Sequence, residues 1–313
     1  MKGIHTIVGA GGAIGNNLVN VLKKHQESIR LVSRSGKKQD GCDSRSADVR
    51  NKESVIKAIE GSKVVYLLVG LEYKTSIWQK EWPLIMRNVM DACIACECRL
   101  VFFDNVYMYG RVDGRMTEET PFNPVSKKGA VRAEIANMLL KEMKSGKLTA
   151  LIARSADFYG PHSEKVSFLH QLMLKNQRAG KAAQWMMNAR VPHSLTYTPD
   201  AAAAVYTLAT DESAYGQTWH LPTAAPALTG EELAGIGARF SEGKDKVTVM
   251  PRWMLQLAGW FIPVIGESME MLYQYDSPYH FDSSKFEKQY GWKATSYEDG
   301  IRDTIKFYAQ HPA

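Results

Sequence analysis

The sequence predicts an α/β protein in which a doubly wound parallel sheet is covered by helices on both faces. Short runs rich in Val, Ile and Leu alternate with helical patterns through the first two-thirds of the 313 residues. A glycine cluster follows the first of these runs, and no internal repeat or low-complexity linker interrupts the alternation. Strands of a parallel sheet show such continuous apolar runs because both of their faces are buried.

The predicted elements follow one another in strict order. The strands are predicted at 4–8, 29–32, 64–69, 100–103 and 149–153, with helices at 14–24, 52–59, 83–95 and 131–144. Ligands of such sheets bind at the carboxyl ends of the strands, so function is expected in the turns that follow them. The alternation weakens from about residue 160, and 160–195 with 222–280 are expected to form a smaller, substrate-covering lobe.

The turn after the first strand has the composition of a phosphate-binding loop. Gly9 permits a tight turn, Gly11 and Gly12 let the backbone approach a pyrophosphate, and Gly15 lets the following helix pack closely on the strand. The helix N-terminus then faces the phosphates. The sequence therefore predicts a Rossmann-type dinucleotide cradle. Its expected cofactor contacts are Gly9, Gly11, Gly12, Ala13, Ile14 and Gly15.

This cradle leads to a prediction of the domain organisation. Residues 1–225 are expected to form an NAD(P)-binding Rossmann domain, with an excursion into the substrate lobe at about 160–195. Residues 226–313 are expected to contribute mainly the smaller C-terminal lobe and the last helices.

Composition indicates an ordinary globular protein. Hydrophobic residues make up 45% and charged residues 23%, and the net charge of +6 is compatible with a phosphorylated ligand without requiring nucleic acid. Three of the four cysteines cluster at 93–98, but no further metal ligand is nearby, so we expect reduced thiols, no metal and a cytoplasmic location. No signal peptide and no membrane partner are expected. The apolar stretch 253–265 is expected to be a buried or lid helix.

Several motifs resemble those of the extended short-chain dehydrogenase/reductase family, which includes nucleotide-sugar epimerases and dehydratases. They are the three-residue spacing of Gly9, Gly12 and Gly15, the Arg-x-x-x-x-Tyr-Gly-Pro segment at 154–161 and the Tyr-Gly-Trp at 290–292. A mild departure is Val8, where the family usually has Thr. The resemblance implies an NAD(P) cofactor. It places Asp48 and Val49 beside the adenine, and we count Leu68 and Val69, at the end of the third predicted strand, among the cofactor contacts.

The turn after the second predicted strand favours NADP over NAD. An acidic residue there would accept hydrogen bonds from the ribose 2′-hydroxyl and repel a 2′-phosphate. The turn instead reads Ser-Arg-Ser-Gly-Lys-Lys from Ser33 to Lys38. Ser33 and Arg34 are therefore predicted to hold the 2′-phosphate, since a guanidinium pairs bidentately with phosphate. The alternative is that Arg34, Lys37 and Lys38 form a solvated basic turn and that NAD binds.

The family's catalytic pattern is not found at the expected positions. Family members use Tyr-x-x-x-Lys for proton transfer, with a Ser or Thr that polarises the carbonyl. Alignment on Glu134 places Ser126 at the Tyr position and Ala130 at the Lys position. Alignment on the Tyr-Gly pair at 109–110 places Asn105 at the Ser/Thr position.

A second alignment gives a different candidate. Lys128 through Arg132 resembles the Lys-x-x-x-Arg segment of atypical family members, such as isoflavone-reductase-like and NmrA-like proteins. Those proteins also lack the Tyr; the reductases use the lysine alone, and the NmrA-like proteins are cofactor sensors. Lys128 would then face the nicotinamide, where burial lowers a lysine's pKa. The alternative is that Lys127 and Lys128 are a surface pair before the helix.

Other side chains near the strand ends could also supply a proton. They are Asp104, Tyr107, Tyr109, Asp157 and Tyr159. His193 is expected to be a structural hydrogen-bonding residue. We select Asn105, Tyr107 and Lys128 as the candidate catalytic residues.

Two functions remain open at this stage. The first is an NAD(P)-dependent oxidoreductase or epimerase/dehydratase-like enzyme that lacks Tyr-x-x-x-Lys and acts on a small carbonyl or sugar-like substrate. The second is a non-catalytic NADP(H)-binding sensor or ligand-binding module. The expected partner is a small molecule, and a homodimer is left open.

Overall fold

The computed structural model describes residues 3–36 and 38–311, so Lys37 of the predicted basic turn lies outside the described residues. The strands are β1 (Ile4–Val8), β2 (Ser28–Ser33), β3 (Asp43–Ser46), β4 (Ser62–Leu67), β5 (Arg99–Asp104), β6 (Arg115–Met116), β7 (Ala150–Arg154), β8 (Asp157–Tyr159), β9 (Ala182–Met186), β10 (Pro192–His193), β11 (Leu195–Tyr197), β12 (Thr218–His220), β13 (Leu228–Thr229), β14 (Lys244–Met250) and β15 (His280–Phe281). The helices are α1 (Ala13–Lys24), α2 (Lys52–Ile59), α3 (Thr75–Ala95), α4 (Lys127–Lys144), α5 (Lys175–Arg178), α6 (Thr198–Thr210), α7 (Gly230–Arg239), α8 (Arg252–Phe261), α9 (Pro263–Ser268), α10 (Ser284–Tyr290) and α11 (Tyr297–Gln310).

The chain divides into two compact units. The first contains the described residues within Met1–Met108, together with Lys127–Arg154 and Ala201–Trp219. The second contains Tyr109–Ser126, Ser155–Asp200 and the described residues within His220–Ala313.

A seven-stranded sheet with the order β12-β7-β5-β4-β1-β2-β3 organises the first unit. β1 pairs in parallel with β2 on one side and with β4 on the other, so the strand order reverses at β1. Its residues are almost completely buried, as Ile7 at 0% exposure shows, because neighbouring strands and covering helices enclose it. This topology confirms the predicted Rossmann-type fold.

Two helices of this unit, α3 and α4, begin a full turn or more earlier than predicted. α3 begins at Thr75 and carries Pro83 in its interior. A proline there removes one backbone hydrogen bond, but Trp78 and Trp82 are buried on the same helix and stabilise it through packing. α4 begins at Lys127, which places Lys128 in its first turn.

The second unit is built from short strand pairs and helices around one apolar cluster. Its strand pairs are β10–β13, β11–β8, β14–β9 and β15–β6. The cluster is centred on Trp185, which is 1% exposed, and includes Leu169, Leu233 and Ile301. α7 of this unit begins with a capping box formed by Thr229 and Glu232.

One of the two alternatives for the stretch 253–265, a buried helix, is wrong, because Trp253 is 64% and Trp260 72% exposed. The other alternative, a lid helix, stays a prediction. Leu255 is the buried residue of α8, and α9 buries none. Hydrophobicity alone does not predict how much of a helix is buried. On α8 only a narrow face packs against the unit, and no described residue covers the opposite face.

Candidate cofactor site and catalytic cluster

The glycine loop between β1 and α1 has a conformation that requires glycine at two positions. Gly9 has a φ of +95°, and a Cβ there would lie 2.7 Å from backbone atoms of Leu68 and Val69. Gly11 has a φ of +100°, also in the region that L side chains avoid. At Gly15 a Cβ would meet its nearest atom at 3.6 Å, an ordinary contact. The helix does lie close to β1 and its loop at Gly15, but a small side chain would also fit there.

The N-terminus of α1 is available for a ligand. Gly12 is the N-cap residue in an extended conformation, it makes no side-chain cap, and the first turn contains no acidic residue. The first N–H groups of a helix have no partner within the helix. Together with the helix dipole they favour an anion at this position.

A cavity of about 670 Å³ lies along the residues that follow β1, β2, β3 and β4. The expected cofactor contacts that line it are Gly9, Gly12, Ser33, Arg34, Asp48, Val49, Leu68 and Val69. The others do not line it: Gly11 is exposed, whereas Ala13, Ile14 and Gly15 are buried in α1. Leu68 and Val69 follow β4 rather than belonging to it, since that strand ends at Leu67.

Sequence reasoning missed the part of the cavity wall that α3 provides. Ile77, Glu81 and Ile85 line the cavity at four-residue intervals, which is the spacing of one helix face. That spacing is visible in the sequence, but the helix was predicted to begin only at Pro83. Arg50, two residues after Asp48, also lines the cavity and was not predicted.

Asp48, the aspartate that lines the cavity, forms an ion pair with a neighbouring arginine. Arg50 donates to Asp48 through Nε at 2.9 Å and Nη2 at 2.7 Å. These hydrogen bonds lower the pKa of Asp48 to about 2, and the charge of Arg34 contributes a smaller attraction. Asp48 is thus ionised and already paired, which reduces its repulsion of a nearby phosphate.

Arg34 is exposed at the rim of the same cavity. Its backbone oxygen accepts a hydrogen bond from Ser46 Oγ at 2.8 Å, which fixes the turn rather than the guanidinium. No ion pair of the Arg34 guanidinium is found within the described part of the chain. The donors of Arg34 therefore remain available to a ligand.

Lys128 is fully buried in the first unit. Its Nζ donates to Thr75 Oγ1 at 2.7 Å and lies 4.6 Å from the centre of the Tyr73 ring. The neighbouring Lys127 is exposed, so the alternative of a surface pair is wrong for Lys128. Lys128 is buried because α4 begins at Lys127 rather than at the predicted residue 131. In this helix the side chain of residue 128 points into the unit, whereas Ala130 is exposed.

An aromatic chain links Lys128 to Tyr107. Tyr73 meets Trp78 edge to face at 5.6 Å, and Trp78 stacks on Tyr107 at 6.2 Å. Asn105 lies beside Tyr107 and accepts a hydrogen bond from its backbone N–H at 3.0 Å. The three candidate catalytic residues therefore lie in one unit, although the amide oxygen of Asn105 already stabilises the local turn.

Asp104 does not have the environment of a proton donor. Its carboxylate is fully buried and accepts hydrogen bonds from Arg132 Nε at 2.8 Å and Arg154 Nε at 3.4 Å. Arg132 in turn lies over the ring of Trp82 at 4.5 Å. The oxygens of this buried carboxylate are occupied by hydrogen bonds from two guanidinium groups, so we assign Asp104 a structural role.

The remaining candidates lie in the second unit and make structural contacts there. His193 Nε2 is 3.0 Å from Asp157 Oδ2, which confirms it as a hydrogen-bonding residue, and Tyr275 donates to the same oxygen at 2.9 Å. Tyr109 pairs with His220 at 2.9 Å. Burial raises the pKa of Tyr159 well above its ordinary value. Of this group, Asp157 alone keeps partial exposure, 16% of its side chain.

Within the described ranges, no group of three or more His, Cys, Asp or Glu side chains is arranged to hold a metal ion. In the same ranges, no helix combines the length and the apolar character that crossing a membrane would require.

The fold and the glycine loop define the class of protein: a doubly wound α/β protein with a dinucleotide-type loop after its central strand. A family model described as the NAD dependent epimerase/dehydratase family matches residues 5–220. The chain therefore belongs to the NAD-dependent epimerase/dehydratase family.

Individual relatives agree with this assignment. A dTDP-glucose 4,6-dehydratase of Mycobacterium tuberculosis is 23% identical over 327 residues, 96% of this chain and 92% of the relative. A 3beta-hydroxysteroid-dehydrogenase/decarboxylase isoform 1 of Arabidopsis thaliana is 25% identical over 323 residues, 92% of this chain and 71% of the relative.

Solved structures share the fold. MoeE5 in complex with UDP-glucose and NAD matches with a TM-score of 0.79 at 17% identity, over 99% of this chain and 100% of the other. The UDP-glucose 4-epimerase of Thermus thermophilus in complex with NAD matches with a TM-score of 0.80 at 17% identity, over 98% of this chain and 99% of the other.

Proposed function

We propose that the chain is an NAD(P)-dependent oxidoreductase or epimerase/dehydratase that acts on a small carbonyl or sugar-like substrate without the usual Tyr-x-x-x-Lys pair. The observation that carries the proposal is the cavity along β1 to β4, whose walls combine the glycine loop, Arg34, the Asp48–Arg50 pair and the turn after β4. The named relatives are a dehydratase and a dehydrogenase, and two structures of similar fold hold NAD, which supports this class of ligand.

The domains are proposed to divide these tasks. Residues 1–225 carry the cofactor, with the excursion at about 160–195, and residues 226–313 serve mainly as substrate lobe and C-terminal helices.

The proposed cofactor is NADP(H). Gly12 and the N-terminus of α1 would hold the pyrophosphate, Asp48 and Val49 would line the adenine, and Arg34 with Ser33 would hold the 2′-phosphate. The support is the absence of an acid from Ser33 to Lys38, together with a cavity aspartate that Arg50 already neutralises. When bound, the nicotinamide supplies or accepts a hydride.

Arg34→Ala tests this choice. The variant is expected to weaken NADPH binding about tenfold to a hundredfold, because a charge-assisted hydrogen bond contributes about 1.5–3 kcal/mol. NADH affinity is expected to stay unchanged. Isothermal titration calorimetry with both cofactors measures the effect, and Lys38→Ala, an exposed lysine of the same turn, is the matched control. Tighter binding of NADH than of NADPH by the unmodified protein would show that the 2′-phosphate is not recognised.

Lys128 is proposed to handle the proton. Its ammonium group can donate a hydrogen bond to a substrate oxygen and pass on a proton as negative charge develops there, while Thr75 Oγ1 and the Tyr73 ring hold it in place. Tyr107 is a second candidate donor, and Asn105 positions its backbone. Because Lys128 is fully buried, its proton would be restored through its hydrogen-bond partner Thr75 Oγ1, which is partly exposed.

The alternative is a sensor that binds NADP(H) without turnover. It is favoured by Ser126 and Ala130, which occupy the usual Tyr and Lys positions, and by the exposure of Ala130. Incubation of NADPH with aldehydes, ketones and quinones, followed by cofactor absorbance, separates the two functions. Binding without consumption of NADPH by any of these compounds would favour the sensor.

A further inference from the structure

An ion pair joins two walls of the cavity in the first unit. Arg50 follows β3, and its Nη1 lies 3.6 Å from Oε1 of Glu81 on α3. Another edge of the same guanidinium holds the carboxylate of Asp48, with Nη2 at 2.7 Å from Oδ2. All three residues line the cavity. Arg50 is therefore the middle member of a carboxylate–guanidinium–carboxylate chain, which we call the Arg50 bridge.

The Arg50 bridge is not what holds this turn of the chain to α3. The side-chain amide of Asn88, a buried residue of α3, donates to the Val49 carbonyl at 3.1 Å. That contact fixes the turn by itself. Arg50 and Glu81 keep 44% and 21% of their side chains exposed, and exposed ion pairs contribute little to stability. The bridge can therefore open and close without disturbing the fold.

The two carboxylates fix the plane of the Arg50 guanidinium. The N–H groups of a guanidinium lie in its plane, so its polar partners meet it at its edges. Asp48 accepts from Nε at 2.9 Å and from Nη2 at 2.7 Å, and Glu81 pairs with Nη1. These contacts use the edges of the group and not its flat faces. The faces of a guanidinium stack on aromatic rings, including those of nucleic-acid bases.

Glu81 is an unexpected residue in the wall of a phosphate-binding cavity. Among the described residues that line the cavity, the carboxylates of Asp48, Glu72 and Glu81 accompany the guanidinium groups of Arg34 and Arg50. A carboxylate repels phosphate groups. A negative side chain in this wall therefore lowers the affinity for a dinucleotide unless a second effect offsets the repulsion. Holding Arg50 in one orientation is such an effect.

We propose that Arg50 stacks on the adenine of the bound cofactor and that Glu81 is the positioning residue that holds it there. The inference rests on the proposed cofactor site, in which the adenine lies beside Asp48 and Val49. It does not depend on the choice between NADPH and NADH, since both contain adenine. The Arg50 bridge has to open before the base leaves, so it slows release of the cofactor.

Stopped-flow displacement of the reduced cofactor tests the proposal. The unmodified protein is loaded with whichever of NADPH and NADH binds more tightly, and nicotinamide fluorescence follows the release. Glu81→Gln is expected to raise the release rate about threefold to tenfold, because the ion pair to Arg50 is lost. Arg50→Lys keeps the charge but loses the planar group, so a comparable rise is expected. Both side chains are partly exposed, so circular dichroism should remain unchanged.

Glu72→Gln is the matched control, since Glu72 is an exposed carboxylate of the same cavity that lies outside the Arg50 bridge. It should release the cofactor no faster than the unmodified protein. ADP-ribose, or its 2′-phosphate if NADPH binds more tightly, carries the adenine without the nicotinamide. Its affinity should fall in Glu81→Gln by the same factor by which cofactor release accelerates.

The outcomes that overturn the proposal are distinct. Slower release from Glu81→Gln would show that Glu81 only repels the phosphates, and a normal rate for Arg50→Lys would show that charge alone matters. An unchanged affinity for the adenine fragment would place Arg50 away from the base. Each of these results leaves the proposed cofactor site standing. If the unmodified protein binds neither NADPH nor NADH, the cofactor site is wrong and this inference with it.

Discussion

Gly12→Val is expected to abolish NADPH binding while the protein stays folded. A Cβ at Gly12 would meet no described atom closer than the Gly9 carbonyl oxygen at 3.8 Å, and the backbone conformation of Gly12 is one that other residues adopt. The fold therefore accepts a side chain here. The phosphates would not, because valine's branched side chain would occupy the space in front of the helix N-terminus that the pyrophosphate needs.

Two neighbouring glycines provide the controls. Gly15→Ala should retain both fold and binding, since its new Cβ makes only ordinary contacts. Gly9→Val should destabilise the protein itself, because φ is +95° and the backbone of Leu68 and Val69 is in the way. Calorimetric titration and thermal unfolding separate these outcomes. Retained NADPH affinity in Gly12→Val would show that the nucleotide binds elsewhere.

Lys128→Ala is expected to lower the rate of carbonyl reduction by roughly 10²–10⁴, the usual range for loss of general acid catalysis. Lys127→Ala is the matched control, because that lysine is adjacent in the chain but exposed. Lys128→Met keeps most of the buried volume and removes the charge, so it separates packing from chemistry. The measurement is NADPH consumption with a compound identified in the carbonyl screen, with NADPH affinity measured in parallel.

Tyr107→Phe completes this test. If Tyr107 also donates a proton, its rate should fall by a similar factor with NADPH affinity little changed. A large loss for Lys128→Met beside a normal rate for Tyr107→Phe would assign the proton to the lysine. If both variants turn over substrate like the unmodified protein, the catalytic assignment of this cluster is wrong.

The local sequence was sufficient to predict the central part of the sheet. β1 was predicted with its observed bounds, and so was α2. An apolar run with both faces buried and a helix with regular apolar spacing depend mainly on their own residues. The glycine turn could also be predicted from the local sequence, because the positive φ at Gly9 and Gly11 is a requirement of those positions themselves.

The position of helix ends was decided by packing. The local rule that proline begins a helix failed at Pro83, because the buried Trp78 and Trp82 extend α3 towards its N-terminus. Ile77 and Glu81 came to line the cavity for that reason. The same effect placed Lys128 inside the unit and Lys127 outside it.

Side-chain partners were decided by tertiary structure alone. The sequence by itself determined the family fold, the glycine loop and the basic turn at Arg34, because each depends on residues that are adjacent in the chain. Only the folded chain brought Lys128 to Thr75, paired Asp104 with Arg132, and left one face of α8 exposed. These contacts join residues 28 to 53 positions apart, and whether an apolar face is covered depends on which distant segments reach it.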